Sequence, residues 1–229
     1  MAKRYIQRHS FKTRVTHDTV VFSCVWLMIS GLFVFVPPLS AAVGDGVVQA
    51  LRISHRVIGA IFILMPLLSA ITSPGGFKEF VAKYTCKWTK EDVEFMKKFV
   101  PYMLGPKRVH MPDQDEVKSG QRIADGLLII SGIIMAITGL ILWLGSSVFT
   151  APAGLLLGAR FFHDLFFMIM IVFVLAHFYL GAGVFQPYRG TIKLMFGKGR
   201  VSESNALYHW GFWARKEIEE GKDIVEEKK

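Results

Sequence analysis

Four histidines lie within or at the edge of long apolar runs: His17, His55, His163 and His177. Imidazole can carry a proton or bind a metal, and an ionisable side chain at membrane depth is costly enough to mark a functional site. His17 opens the first apolar segment and His55 opens the second, while His163 and His177 share the fourth, fourteen residues apart. Fourteen residues of helix rise about 21 Å and fall about 40° short of four full turns, so this last pair shares one helix face. One member then sits near each surface of a bilayer.

The segments that must position these side chains are legible from hydropathy. Of the 229 residues, 52% are hydrophobic. Four runs are long enough to cross about 30 Å of hydrocarbon, which takes roughly 20 residues. They are Val15–Val36, Ile53–Ser73, Ile123–Leu144 and Phe161–Phe185. The net charge of +9 could point to nucleic acid, but 24 of the 27 Lys and Arg fall in residues 1–16, 74–122 and 186–229. Only Arg52, Arg56 and Arg160 lie in or beside the other two connections. This is the positive-inside pattern of four spans with both termini in the cytoplasm, and the partners it predicts are lipid head groups and other subunits, not nucleic acid. The basic start and apolar core resemble a signal peptide, but Thr19–Val36 is longer than such a core, so an uncleaved helix is expected.

The expected architecture is therefore an all-α integral membrane protein, a four-transmembrane-helix bundle with N- and C-termini cytoplasmic. Residues 1–14 read as a basic arm, 15–185 as the membrane domain, and 186–229 as a cytoplasmic tail. Pro37–Pro38 end the first span, and Gln186–Pro187 follow the fourth. The connection Leu39–Ala50 faces outward. Within the long loop 74–121, an amphipathic helix is expected from Thr89, with Asp92 three residues on as a near capping box. No internal repeat is evident.

With this topology the histidines pair by depth: His17 with His177 near the cytoplasm, and His55 with His163 near the outer surface. Each pair reads as the axial ligands of a haem b, a six-coordinate iron suited to electron transfer. Gly31, Gly59 and Gly181 lie on or near the ligand faces, where small residues allow close approach. Arg14, Arg52, Arg56 and Arg160 are candidates for the haem propionates, or else interfacial anchors. Cys24 and Cys86 lie in different compartments by this topology, and no C-x-x-C-H sequence occurs, so neither a disulfide nor covalent haem attachment is expected. His9, His110 and His209 read as surface residues.

The chain closely resembles the cytochrome b (gamma) subunit of respiratory formate dehydrogenases. The resemblance covers R-x-x-H-x-T-V-V at Arg14–Val21, Ser30–Gly31, R-I-x-H with its glycine at Arg52–Gly59, and H-x13-H at His163–His177. It continues through G-x-I-K-x-M at Gly190–Met195 and H-x-x-x-W-x-x-x-E-I-E at His209–Glu219. It implies two haem b, an iron–sulfur (beta) subunit on the outer face, a molybdenum- or tungsten-containing catalytic (alpha) subunit beyond it, and residence in the bacterial inner membrane. Menaquinone or ubiquinone would be reduced near the inner haem. The family's quinone segment K-Y-N-x-G-Q-K corresponds to E-V-K-S-G-Q-R, Glu116–Arg122, so Gly120 and Gln121 match while Lys118 replaces the asparagine. With His177 these three residues form the expected quinone site. Lysine as an ammonium only donates hydrogen bonds, so Asp125 is a candidate proton acceptor, although an ion pair with Arg122 is the simpler reading of its i,i+3 spacing. Related cytochromes serve nickel–iron hydrogenases and other respiratory enzymes, and a non-haem transporter or scaffold is the remaining rival.

The charge asymmetry makes a direct prediction. A reporter fused after Lys229 or inside residues 78–118 should behave as cytoplasmic, and one in Leu39–Ala50 as periplasmic. A periplasmic C-terminus would sink the depth pairing of the histidines.

Overall fold

Several helix breaks in this chain coincide with a proline or glycine, although Pro66 and Pro101 lie within helices. The computed structural model describes residues 3–184 and 188–227. After strand β1 (Lys3–Gln7), helix α1 (Phe11–Phe35) stops one residue before Val36-Pro37, and Pro37 then starts α2 (Pro37–Val43) at a position where its missing N–H is not needed. Gly44, at φ 79°, makes the sharp turn into α3 (Asp45–Thr72). Then come α4 (Pro74–Thr85), α5 (Lys90–Leu104), α6 (Ser119–Ser147) and α7 (Ala153–Gly181). The chain ends with α8 (Lys193–Phe196), β2 (Arg200–Ser202), α9 (Glu203–His209), α10 (Gly211–Glu220) and β3 (Ile224–Glu227). The capping box forms as expected: Thr89 Oγ1 accepts from the Asp92 N–H at 3.2 Å, and Asp92 Oδ2 accepts from the Thr89 N–H at 2.9 Å.

Four helices, α1, α3, α6 and α7, are long and apolar enough to cross a membrane. Each starts before the apolar run that announces it, α3 by eight residues, so the outer connection expected over Leu39–Ala50 is itself mostly helical. Backbone hydrogen bonding continues past the hydrocarbon wherever no proline or glycine stops it. Phe185 and Gln186–Pro187 lie outside the described residues.

The chain divides into two compact units. One comprises Val15–Thr72 and Leu127–Leu175, the middle stretches of the four long helices. Its contacts are those of a membrane bundle. Gly59 faces Leu27, Gly132 faces Phe62, and Phe35 meets Phe167 edge-on at 6.1 Å. Its outer surface is apolar: Leu64, Ile133 and Val172 are each more than half exposed. Lipid tails are as apolar as these side chains, so nothing drives them inward.

The other unit comprises Met1–Arg14, Ser73–Gly126 and Ala176–Lys229. The architecture is mostly helical, as the all-α expectation has it, and this unit adds one small sheet. The basic arm supplies the central strand of a small antiparallel sheet in the order β2-β1-β3, with Tyr5 opposite Ser202 on one side and Val225 on the other. Ile6 points from β1 into a core with Leu194, Val201, Ala206, Trp210 and Trp213. Strands of three to five residues with partners at opposite ends of the chain leave no periodic signature in the sequence. The sheet also consumes charge that would otherwise be free for lipid: Arg4 pairs with Glu203 at 3.1 Å, and Arg200 with Glu227 at 3.0 Å.

A buried polar cluster holds the start of α6. Arg122 pairs with Asp92, not with Asp125 as its helical spacing suggests. Asp92 also accepts from Ser119 Oγ at 2.7 Å. Burial pushes the Asp92 carboxyl upward, but hydrogen bonds from the Thr89 N–H, Ser119 and Arg122 together hold it below the usual range. The capping box fixes this carboxylate in advance, which is why it takes the guanidinium and leaves Asp125 to other partners.

Candidate functional site

His55 on α3 and His163 on α7 come together inside the membrane unit, with ring centres 6.4 Å apart. The two ring planes are inclined at 62°, edge to face. Among the described residues no three His, Cys, Asp or Glu gather as a bare metal ion would need. Two neighbouring imidazoles would instead suit a metal whose remaining ligands arrive with a macrocycle.

Both imidazoles are oriented by hydroxyls. Ser30 Oγ lies 2.8 Å from His55 Nδ1, and Thr138 Oγ1 lies 2.9 Å from His163 Nδ1. Each hydroxyl donates its own proton backwards, Ser30 to the Trp26 carbonyl at 2.8 Å and Thr138 to the Ile134 carbonyl at 2.7 Å. The oxygens are therefore left as acceptors, so Nδ1 of each histidine carries the proton and Nε2 keeps its lone pair for a ligand.

The two halves of the site repeat each other. Each hydroxyl stands 25 residues before its histidine and is followed by a glycine, as Ser30-Gly31 and Thr138-Gly139. A Cβ on Gly31 would lie 3.4 Å from His55 Cε1, and one on Gly139 would lie 3.3 Å from His163 Cε1. The similarity is one of spacing around the two histidines. The signal was present as hydroxyl-Gly-x23-His, visible once the two histidines are known to be equivalent.

Both histidines line an apolar cavity with about 900 Å³ of empty space, part of it open to the outside. Cys24, Phe35, Gly59, Met135 and Phe167 are among its walls, and Arg56 and Asp164 are its charged groups. A flat, largely apolar macrocycle fits such walls, and Arg56 is placed to meet an anionic substituent. Arg52 lines a separate depression with Asp45, and Arg160 is exposed on α7. Arg14 belongs to the other unit, 5.6 Å over the ring of Phe11.

The remaining two histidines lie in different units. His17 is in the membrane unit, its Nδ1 3.2 Å from Asp18 Oδ1. His177 is in the unit that holds the sheet, where its Nδ1 donates to Asp125 Oδ1 at 2.8 Å. The second oxygen of Asp125 accepts from Tyr84 at 2.8 Å and from Gln121 at 2.9 Å. Tyr84, not anticipated from sequence, is pushed above its usual range by burial and by the adjoining carboxylate.

The expected quinone residues divide between two neighbourhoods of this unit. Gln121 joins His177 through Asp125, while Gly120 packs on Phe95. Lys118 instead donates to Tyr188 at 3.0 Å and meets His209 Nδ1 at 3.3 Å. His209 is buried and stacked on Tyr188 at 4.9 Å, contrary to the expectation of a surface residue. Burial and the like charge of Arg8 push Lys118 well below the ordinary lysine range. A neutral amine has a lone pair, so in that form this lysine can accept a hydrogen bond or take up a proton, which its ammonium form could not.

A family model described as prokaryotic cytochrome b561 matches residues 8–198. The chain belongs to that family. No curated protein matches the chain closely enough to count as a relative. This cytochrome b561 relative is a membrane cytochrome b of electron transfer, a multi-pass protein of the bacterial inner membrane. The bound group of the family is haem b, and the His55/His163 cavity fits it.

The glycines supply a test. Gly139→Val would place branched carbon against His163 and should remove most of the haem held by this site while the protein still inserts in the membrane. Haem-to-protein ratio in purified protein reads the outcome, and an undiminished ratio would exclude the cavity as the haem site.

Proposed function

We propose that the protein is the dihaem cytochrome b subunit of a formate dehydrogenase complex. It would carry electrons from an outer iron–sulfur subunit, fed by a molybdenum- or tungsten-containing catalytic subunit, to quinone at the cytoplasmic side. His55 and His163 would hold one haem b, and His17 and His177 the other. Haem iron supplies reversible one-electron transfer. The observation that carries this reading is the pair of imidazoles with ring centres 6.4 Å apart, lining an apolar cavity. The choice of formate dehydrogenase over a hydrogenase rests on the sequence motifs around the four histidines and in the C-terminal segment.

The chain's own residues divide the work. Ser30 and Thr138 hold the outer imidazoles in one tautomer. Asp125 does the same for His177. Gln121 and Lys118 are the proposed quinone contacts, and Lys118, bonded to Tyr188 and His209, is placed to take up a proton at Nζ and pass it on as the ammonium. Reduction of a quinone takes two electrons and two protons, and protons drawn from the cytoplasm would add to the membrane potential.

Two expectations test the reading. His55→Ala and His163→Ala should each deplete one haem, and His17→Ala and His177→Ala the other. Four variants that all keep two intact low-spin haems would refute the ligand set. In the complex, Lys118→Ala or Gln121→Ala should slow quinone reduction at least tenfold while reduction of the cytochrome by the partner subunits stays near normal. Stopped-flow spectra follow both steps, and normal quinone turnover in both variants would remove these residues from the site. Mass spectrometry of the co-purifying subunits tests the partner, since a nickel–iron subunit would replace the formate assignment.

A further inference from the structure

The four proposed ligands differ in what stands behind them. His55 and His163 donate to neutral hydroxyls whose own protons are already committed to backbone carbonyls. His17 and His177 have carboxylates at Nδ1. The two carboxylates are not equal. Asp18 is farther from its histidine, at 3.2 Å, and its side chain is 30% exposed, whereas Asp125 is at 2.8 Å and its side chain is 11% exposed. A hydrogen bond to a charged acceptor is about twice as strong as one to a neutral acceptor, and solvent weakens it.

We propose that Asp125 is the positioning residue that sets the reduction potential of the haem held by His177, and that Tyr84 regulates how strongly it does so. The inference rests on the haem-ligand reading above. A carboxylate drawing on the Nδ1 proton leaves the imidazole more electron-rich, and a more basic axial ligand favours the oxidised iron. Asp125 thus lowers the potential of its haem, an effect the hydroxyl-backed pair does not share. Tyr84 and Gln121 donate to the opposite oxygen of the same carboxylate and spread its charge. They moderate the pull on His177. Tyr84 reaches this carboxylate from α4, in the connection between the second and third long helices.

Two substitutions of opposite sign test this in the full-length haem-loaded protein, by spectroelectrochemical titration. Asp125→Asn keeps a hydrogen-bond acceptor near His177 but removes the charge, and should shift one haem transition to higher potential while leaving the other in place. Tyr84→Phe keeps the charge and removes one competing donor, and should shift that same transition to lower potential. A merely structural role for either residue predicts loss of haem or broadening, with no signed pair of shifts. If Asp125→Asn fails to assemble, Tyr84→Phe decides by itself: a downward shift supports the proposal, while an unchanged or raised potential overturns it. Wild-type protein with no haem spectrum would overturn the ligand reading as well, whereas two normal haems with unmoved potentials would overturn this inference alone.

Discussion

A histidine among hydrocarbon must bond one ring nitrogen to a protein acceptor before the other can serve as a ligand. An unpaired polar group there has no water to turn to, and its desolvation outweighs several favourable packing contacts. The site is arranged around that requirement. Ser30 and Thr138 sit one helix away from His55 and His163, each using its own proton on the preceding turn and offering an oxygen to the imidazole. The glycines that follow them, Gly31 and Gly139, let the helices approach closely enough for those bonds to form. Hydrogen bond, tautomer and helix separation are therefore one constraint with three consequences.

In the second unit the same need is met with charge. Arg122 lies with Asp92, and His177 with Asp125, both beside groups that divide the carboxylate charge further. Lys118 is the exception. It is buried against Tyr188 and Trp210, and burial with the like charge of Arg8 shifts it towards its neutral form. The sheet of β1, β2 and β3 ties the basic arm to the tail, and Arg8, just beyond β1, stacks at 3.9 Å on Trp210.

What was legible in the sequence follows from the bilayer. Hydrocarbon thickness sets the length of an apolar run, charge asymmetry sets its orientation, and both are local properties of composition. The four spanning helices, the stop at Pro37, and the cap at Thr89 and Asp92 were therefore readable without coordinates. The four histidines stand out in the same way, as ionisable residues against an apolar background.

The tertiary structure alone decided which acceptor each polar group received. Arg122 could have paired with Asp125 by helical spacing, and only the placement of α5 showed that Asp92 takes it. Nothing in the sequence marks Tyr84 as a partner of Asp125, or buries His209, because both depend on residues far along the chain meeting in space. The strands were hidden for the same reason: three to five residues have no period of their own, and their register exists only against a partner. Hydropathy is additive along a chain and can be read from it, whereas hydrogen-bond partnership is a property of pairs and appears only when the chain has folded.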